Sequence, residues 1–375
     1  MNRIMGLVLT SLIVSGCATT GGVSSFTNAG DTNTLNESER RLWHEASGFD
    51  TTIERSAQIY DDRRATAYLQ GVMDRLYPEF KGKIQVRIYD STQLNAFALP
   101  NGSIYFNIGM LARIENEAQL AAVLAHEAAH FIERHSFRQR VSAKNLSAFA
   151  VSGIPFSSLA AISSISGFSR DLERDADKKG YERLVKTGYD PHEAHKVFQH
   201  LADEVKALGA KEPYFFSSHP KLVERIETFQ ELAAKHKTGG RLGTDEYSQV
   251  IQPIRLEALR KDLGQDRYKS IILVMDDNNM RRYYPPAGYY YLGEAYMRRD
   301  LKNDRQKALQ ALQTAEKLAP NFAPTYKSLG IHHMKAGNKG QALQYFNKYL
   351  SLAPGNAQDR PYVQQYVSSL REPGK

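Results

Sequence analysis

The segment Leu120–His135, LAAVLAHEAAHFIERH, places three histidines and two glutamates within ten residues. In a helix, residues four apart lie about 40° apart around the axis, so His126 and His130 project from one face. Two imidazoles so placed suit two ligands of a tetrahedral zinc, and Glu127 beside the first is positioned as general base for an attacking water. Leu120, Ala121, Val123, Leu124, Ala128 and Ala129 make the helix largely buried, and buried histidines need polar partners. His135 falls five residues past His130, about 140° further round a continuous helix. It is therefore expected on another face, exposed at the helix end, with Glu133 equally remote from the pair. The longer zinc-protease pattern with Gly at 133 and His at 136 is excluded, because Glu133 and Ser136 stand there.

One helix cannot complete a metal site, so a third ligand must come from elsewhere. The stretch SRDLERDAD, Ser169–Asp177, supplies Glu173 and Asp177, four apart on one face of a second helix. One carboxylate of that pair can bind the metal. The other can accept the spare ring N–H of a ligand histidine and fix its orientation.

The surrounding elements follow from periodicity. Glu37–Tyr77 reads as helical, with apolar residues at mixed three and four spacing. Ile84–Tyr89 alternates as a strand, and Asn95–Asn107 reads as two short extended pieces around a Pro-Asn-Gly turn. Helices are expected over Glu115–His135 and Arg170–Thr187, the latter ended by Gly188 and a Tyr-Asp-Pro turn. Between them, Asn145–Ser169 runs twenty-five residues without a charge. Its eight serines, two glycines and Pro155 make it too polar for a spanning helix, so it is expected as a mobile loop or short helices beside a cleft.

The C-terminal third repeats itself. YYYLGEAYMRR from Tyr289 matches TYKSLGIHHMKAG from Thr325, and KALQALQTAEKLAP matches QALQYFNKYLSLAP. Pro320 to Pro354 and Ala308 to Ala342 are both 34 residues apart, while Gly293 to Gly330 is 37 because the first inter-helix loop is longer. The period, the Leu-Gly pair, the helical Ala and the terminal Pro resemble the tetratricopeptide repeat. Small residues let paired helices approach, and stacked pairs bury a shared face. Two repeats are too few to stand alone, so Asp245–Asp276 is expected as a degenerate earlier repeat and the segment after Pro361 as a cap.

The N-terminus, MNRIMGLVLTSLIVSGCATT, has a positive start at Arg3 and an apolar run of eleven residues, Ile4–Val14. That length suits a signal-peptide core and is too short to span a bilayer. Val14-Ser15-Gly16-Cys17 resembles a bacterial lipobox, which implies lipid on Cys17, the one cysteine of the chain. No Asp follows Cys17, and that resemblance implies the periplasmic face of the outer membrane. Residues 17–36, rich in Thr, Ser, Gly and Asn, read as a flexible tether. Over 375 residues the net charge is +8, with 42% apolar and 24% charged residues, which fits packed domains. No dense Lys/Arg block carries interleaved aromatics, which argues against a nucleic-acid partner.

HEAAH, then FSRDLERDADKKG, GYDP and SSHP with a following ERI, together resemble the zinc metallopeptidase family that includes the heat-shock protease HtpX and the CAAX prenyl proteases. The likeness runs from about Asn95 to Ile226. It implies one Zn2+ per chain held by His126, His130 and Glu173, with Glu127 as catalytic base and Asp177 behind the ligands. It also implies that His219 of SSHP approaches the metal, as oxyanion donor or as a latency ligand, with Arg225 orienting the carboxylates. NAFALPNGSIYFN matches the family's stretch along the cleft, so Ala96, Phe97, Ala98 and Tyr105 are expected to bind substrate, an extended chain adding to a strand edge. The fold expected is mainly α with a small β-sheet, an α+β zincin-like domain over 37–238, then an α-helical tetratricopeptide-repeat solenoid over 245–371. A lipobox ahead and repeats behind resemble envelope lipoproteins of the family that act in outer-membrane β-barrel assembly. The implied function is zinc endopeptidase quality control of unfolded or misassembled envelope proteins in the periplasm, with the repeats docking outer-membrane assembly machinery. The competing reading is a chaperone or assembly factor with a latent zinc site.

Overall fold

The computed structural model describes residues 23–142, 167–209 and 222–371. Two helices open the core, α1 (Glu37–Arg55) and α2 (Arg63–Leu76), where the periodicity predicts one helical stretch. The break has local causes. Ala57 takes a positive φ of 54°, Ile59 bridges to Tyr89, and the Asp62 side chain caps α2 by accepting from the Ala65 amide.

The sheet follows, with strands β1 (Gln85–Tyr89), β2 (Ala96–Ala98) and β3 (Ser103–Asn107) in the order β1-β3-β2. β1 runs parallel to β3, pairing Val86 with Ile104, and β2 runs antiparallel, pairing Phe97 with Tyr105. Gly102, at φ 94°, makes the turn that the Pro-Asn-Gly sequence predicts. The two sheet edges differ. The Gln70 amide closes the β1 edge, donating to Ile84 O at 3.0 Å and accepting from the Val86 amide at 2.9 Å. On the other side, Asn95 and Leu99 bond to β3 (Asn107 N to Asn95 O, Leu99 N to Ser103 O). Antiparallel alternation therefore turns the backbone groups of Ala96 and Ala98 outward, along an edge that no described strand covers.

The next helices are α3 (Ile108–Arg113), α4 (Glu117–Ile132) and α5 (His135–Ser142), then α6 (Arg170–Lys186), α7 (Ala194–Leu208) and α8 (Leu222–Ala233). α4 runs through the core with only Ala122 of its sixteen residues not buried. Its start is held twice. The Asn116 side chain caps it, and Glu117, fully buried, accepts from the Tyr68 and Tyr189 hydroxyls while pairing with Arg75 and Arg241. α6 lies against α4 at very short range. A Cβ on Gly180 would stand 2.9 Å from the His126 amide nitrogen, so only glycine allows this approach.

Part of the expected tether is packed. Phe26 sits against Trp43 and Phe131, its amide donates to Ile132 O, and Leu35 is buried in the same core. The apolar anchors Phe26 and Leu35 outweigh the polar composition around them, so residues 23–36 belong to the folded body.

The C-terminal region is helical: α9 (Thr244–Gly264), α10 (Tyr268–Met275), α11 (Gly288–Arg299), α12 (Asp304–Leu318), α13 (Ala323–Lys335), α14 (Lys339–Leu352) and α15 (Arg360–Arg371). The repeated Leu-Gly pairs mark close helix approach. A Cβ at Gly293 would meet Leu312 at 2.7 Å, and one at Gly330 would meet Phe346 at 2.5 Å. α9 belongs to both bodies: Tyr247, Ile251 and Ile254 join the first core, Leu259 and Leu263 the second. The junction is also polar. Arg113 of α3 pairs with Glu204 of α7 at 2.7 Å, and Glu204 takes Arg267 and the Ser270 hydroxyl from beside and within α10.

Asp262 of α9 lies in that junction, 3.4 Å from Arg267. Burial pushes its carboxyl up to about 6, against the pull of Arg267 and Arg113. A raised carboxyl pKa gives stability that is full below the unfolded value and lost as pH rises through the folded one. Unfolding measured in urea should therefore show the wild type losing about 1.4 kcal/mol from this group between pH 5 and 7.5. Asp262→Asn should remove that pH dependence, and the two proteins should differ more at pH 7.5 than at pH 5.

Candidate metal centre

The helical spacing of α4 brings the two imidazoles together, with His126 Nε2 and His130 Nε2 3.1 Å apart. Both rings are buried, at 4% and 2% exposure. α6 adds Glu173, whose carboxylate oxygens lie 3.6 Å from His126 Nε2 and 3.4 Å from His130 Nε2. One donor atom from each residue lies within 4.8 Å of the others, the one such grouping among the described residues. Two neutral imidazole nitrogens and a carboxylate fit a borderline-soft divalent cation with one position left open, the donor set of hydrolytic zinc sites. Buried polar atoms converging in this way need a cation or protons between them, and a cation satisfies all three at once.

The groups behind these ligands fix their geometry. Asp177, one turn after Glu173, accepts the Nδ1–H of His126 at 3.0 Å, which leaves Nε2 as the bare donor. Arg225 of α8 also grips Asp177, with Nε to Oδ2 at 3.0 Å and a terminal nitrogen to Oδ1 at 2.6 Å, and that nitrogen lies 3.3 Å from His126 Nδ1. Its guanidinium rests 4.2 Å from the Phe198 ring centroid. Burial works to raise the Asp177 carboxyl, but the Arg225 charge and the hydrogen bonds from His126 and Arg225 hold it at about 2. Phe168 stacks on His130, with centroids 3.9 Å apart and planes 12° apart, and so sets the plane of that ring. Glu127 follows His126 on α4 and is fully buried.

Two expectations are corrected. His135 is not an exposed residue on a remote face. α4 stops at Ile132, Arg134 takes a positive φ of 57°, and His135 begins α5 fully buried. The continuous-helix angle therefore does not apply. The turn carries His135 back so that its Nδ1 lies 3.0 Å from Nδ1 of His130, and its Nε2 lies 3.1 Å from Asp175. Burial holds this imidazole below its usual pKa in spite of the Asp175 carboxylate. Glu133 is also engaged, accepting from the Ser25 hydroxyl. The second correction concerns the cleft segment. The side chains of Ala96, Phe97, Ala98 and Tyr105 are buried, Phe97 stacks on Tyr105, and the Tyr105 hydroxyl donates to Asp50 at 2.7 Å. Phe97 and Tyr105 build a small core with Phe49, Ile53 and Leu99, while Ala96 and Ala98 pack into the main core on the other face of the sheet.

His219 and Cys17 lie outside the described residues, as does 145–166 of the charge-free segment. His135, Asp175, Phe168 and Gly180 are site-building residues that spacing did not reveal. Gly180 alone carried a signal, an isolated glycine inside a helical pattern, which marks close packing.

Residues 63–233 match the family model described as Peptidase family M48. The chain is 32% identical over 161 residues to a putative beta-barrel assembly-enhancing protease of Vibrio cholerae, covering 38% of this chain and 33% of that one. It is 25% identical over 213 residues to the beta-barrel assembly-enhancing protease of Yersinia pestis, covering 51% and 44%. It is also 31% identical over 185 residues to the mitochondrial metalloendopeptidase OMA1 of Schizosaccharomyces pombe, covering 44% and 52%. The matches thus span from a third to about half of these relatives' lengths.

Arg225→Met should leave Asp177 buried without its countercharge, which typically costs about 3–5 kcal/mol. A depressed carboxyl pKa gives stability present above the unfolded value of 3.8 and lost as pH falls towards about 2. Thermal melts across pH 2–7 should show the acid loss beginning at higher pH in the variant than in the wild type.

Proposed function

We propose, for a chain whose residues 63–233 belong to peptidase family M48, that the whole protein is a zinc-dependent endopeptidase acting on unfolded or misassembled envelope proteins. The observation that carries the reading is the buried His126–His130–Glu173 group, with Glu127 in the same turn as the first histidine. Zinc at that group supplies Lewis-acid chemistry, lowering the pKa of a water towards neutrality and polarising a peptide carbonyl.

The chain's own residues do the rest. His126 and His130 present Nε2 to the ion, and Asp177 holds the first ring in the tautomer this requires. The Glu127 carboxylate takes the proton of the attacking water and returns it to the leaving amine. The backbone groups of Ala96 and Ala98 point away from β3 along an edge that no described strand pairs, and an extended substrate adds there as a further strand. Backbone pairing selects for an extended chain rather than for particular side chains, which suits unfolded substrates. His219 contributes an oxyanion donor, or a ligand that keeps the enzyme latent.

The envelope setting rests on the lipobox-like Val14–Cys17 sequence and on relatives named as beta-barrel assembly-enhancing proteases. In this reading lipid on Cys17 anchors the mature chain to the periplasmic face of the outer membrane. Among the described residues no helix is long and apolar enough to cross a membrane. The C-terminal helical hairpins, read as tetratricopeptide repeats, dock the outer-membrane assembly machinery or the substrate.

Glu127→Gln should lower hydrolysis of unfolded casein by roughly 10^2–10^4-fold while zinc content stays at one per chain. Chelation should abolish wild-type cleavage, and added zinc should restore it. Undiminished cleavage by the variant would refute the assignment. A zinc-loaded wild type inert toward every unfolded substrate, even after His219→Ala, would favour the assembly-factor reading.

A further inference from the structure

The two histidine ligands are supported differently. His126 gives its Nδ1–H directly to a carboxylate, Asp177. At Nδ1 of His130 stands another imidazole, His135 Nδ1 at 3.0 Å, and the far nitrogen of that ring meets Asp175 Oδ2 at 3.1 Å. Two facing ring nitrogens at this distance share one proton, and the groups around them decide which ring owns it. Asp175 only accepts. Arg138, which can only donate, meets the same Oδ2 at 3.3 Å and so holds it in place beside the ring. The proton of His135 therefore sits on Nε2, and its Nδ1 is bare. His130 must then donate from Nδ1, which frees its Nε2 to face Glu173 and His126.

We propose that His135 is a positioning residue of the metal centre, relaying the Asp175 carboxylate to His130 so that His130 is locked in its metal-binding tautomer. The proposal rests on the zinc-peptidase reading above. It accounts for a fully buried histidine that no other part of the mechanism uses. It also gives a purpose to the irregular end of α4. Arg134 adopts its positive φ while bonding to Glu39 and to Ser24 O at 2.9 Å, and that turn delivers His135 to His130. The N-terminal residues 24–26 are thereby fastened to the stretch that aims the relay.

The test compares His135→Leu with His135→Asn in the full chain. Leucine fills the space without an acceptor, whereas the asparagine amide oxygen stands where Nδ1 stood and can accept from His130. Zinc affinity measured by chelator competition should fall roughly 10–100-fold in the leucine variant and stay near wild type in the asparagine variant. Equal affinity in all three proteins, or equal loss in both variants, overturns the relay. Should the leucine variant fail to fold, nitrogen chemical shifts of 15N-histidine-labelled, zinc-loaded wild type decide the matter. A proton on His135 Nε2 with bare Nδ1 supports the relay, and a proton on His135 Nδ1 overturns it. A wild type that binds no zinc would instead defeat the underlying peptidase reading.

Discussion

Everything at the candidate site depends on how closely α6 lies against α4. Gly180 brings the second helix within backbone contact of His126, closer than any residue bearing a Cβ permits. Glu173 and Asp177 are short levers, and from a normal interhelical distance of about 8–10 Å they would not reach both imidazoles with good geometry. The glycine costs helix propensity, on the order of 1 kcal/mol against alanine. That cost is offset where it matters, because the contact turns two separate i,i+4 pairs into one three-residue donor set.

Bringing such polar groups into a core is unfavourable unless each is paired. The structure meets that demand in layers. Asp177 and Arg225 stand behind His126, His135 and Asp175 stand behind His130, and Phe168 covers the second ring. At the opposite end of α4, Glu117 is secured by two tyrosines and two arginines drawn from well-separated parts of the chain. The metal-bearing helix is thus fixed at both ends, at its start by the Glu117 network and at its finish by Phe26, Ser25 and Arg134. Side chains locked by packing and hydrogen bonds in this way supply the preorganisation a hydrolytic centre needs.

The legible parts were those governed by local periodicity. HExxH and the Glu173–Asp177 pair are both i,i+4 patterns, so their faces follow from helix geometry alone, and the family resemblance then chose Glu173 as ligand. The sheet was legible from Val-Ile-Tyr alternation and a Pro-Asn-Gly turn, and the helical hairpins from their Leu-Gly repeat. What stayed hidden was tertiary. No glycine or proline marks the break at Glu133–Arg134; it is held by Glu39 and Ser24, nearly a hundred residues or more away in the chain. The packing of residues 23–36 turns on Phe26 and Leu35 in an otherwise tether-like composition. Tyr105 and Phe97 are expected in the cleft because the family resemblance lays their stretch along it; that likeness does not say which face of the strands is covered, and α1 covers theirs through Asp50, Phe49 and Ile53.

The central claim is that α4 and α6 together build one metal centre from two imidazoles and one carboxylate. Zinc K-edge X-ray absorption on the purified full chain tests it most directly. The account predicts one zinc with two nitrogen donors from imidazole at about 2.0–2.1 Å and carboxylate or water oxygens completing the shell. A third imidazole would identify His219 as a further ligand and leave the claim intact. A shell with fewer than two imidazoles, or one unchanged when Glu173 is replaced by Ala, would contradict it.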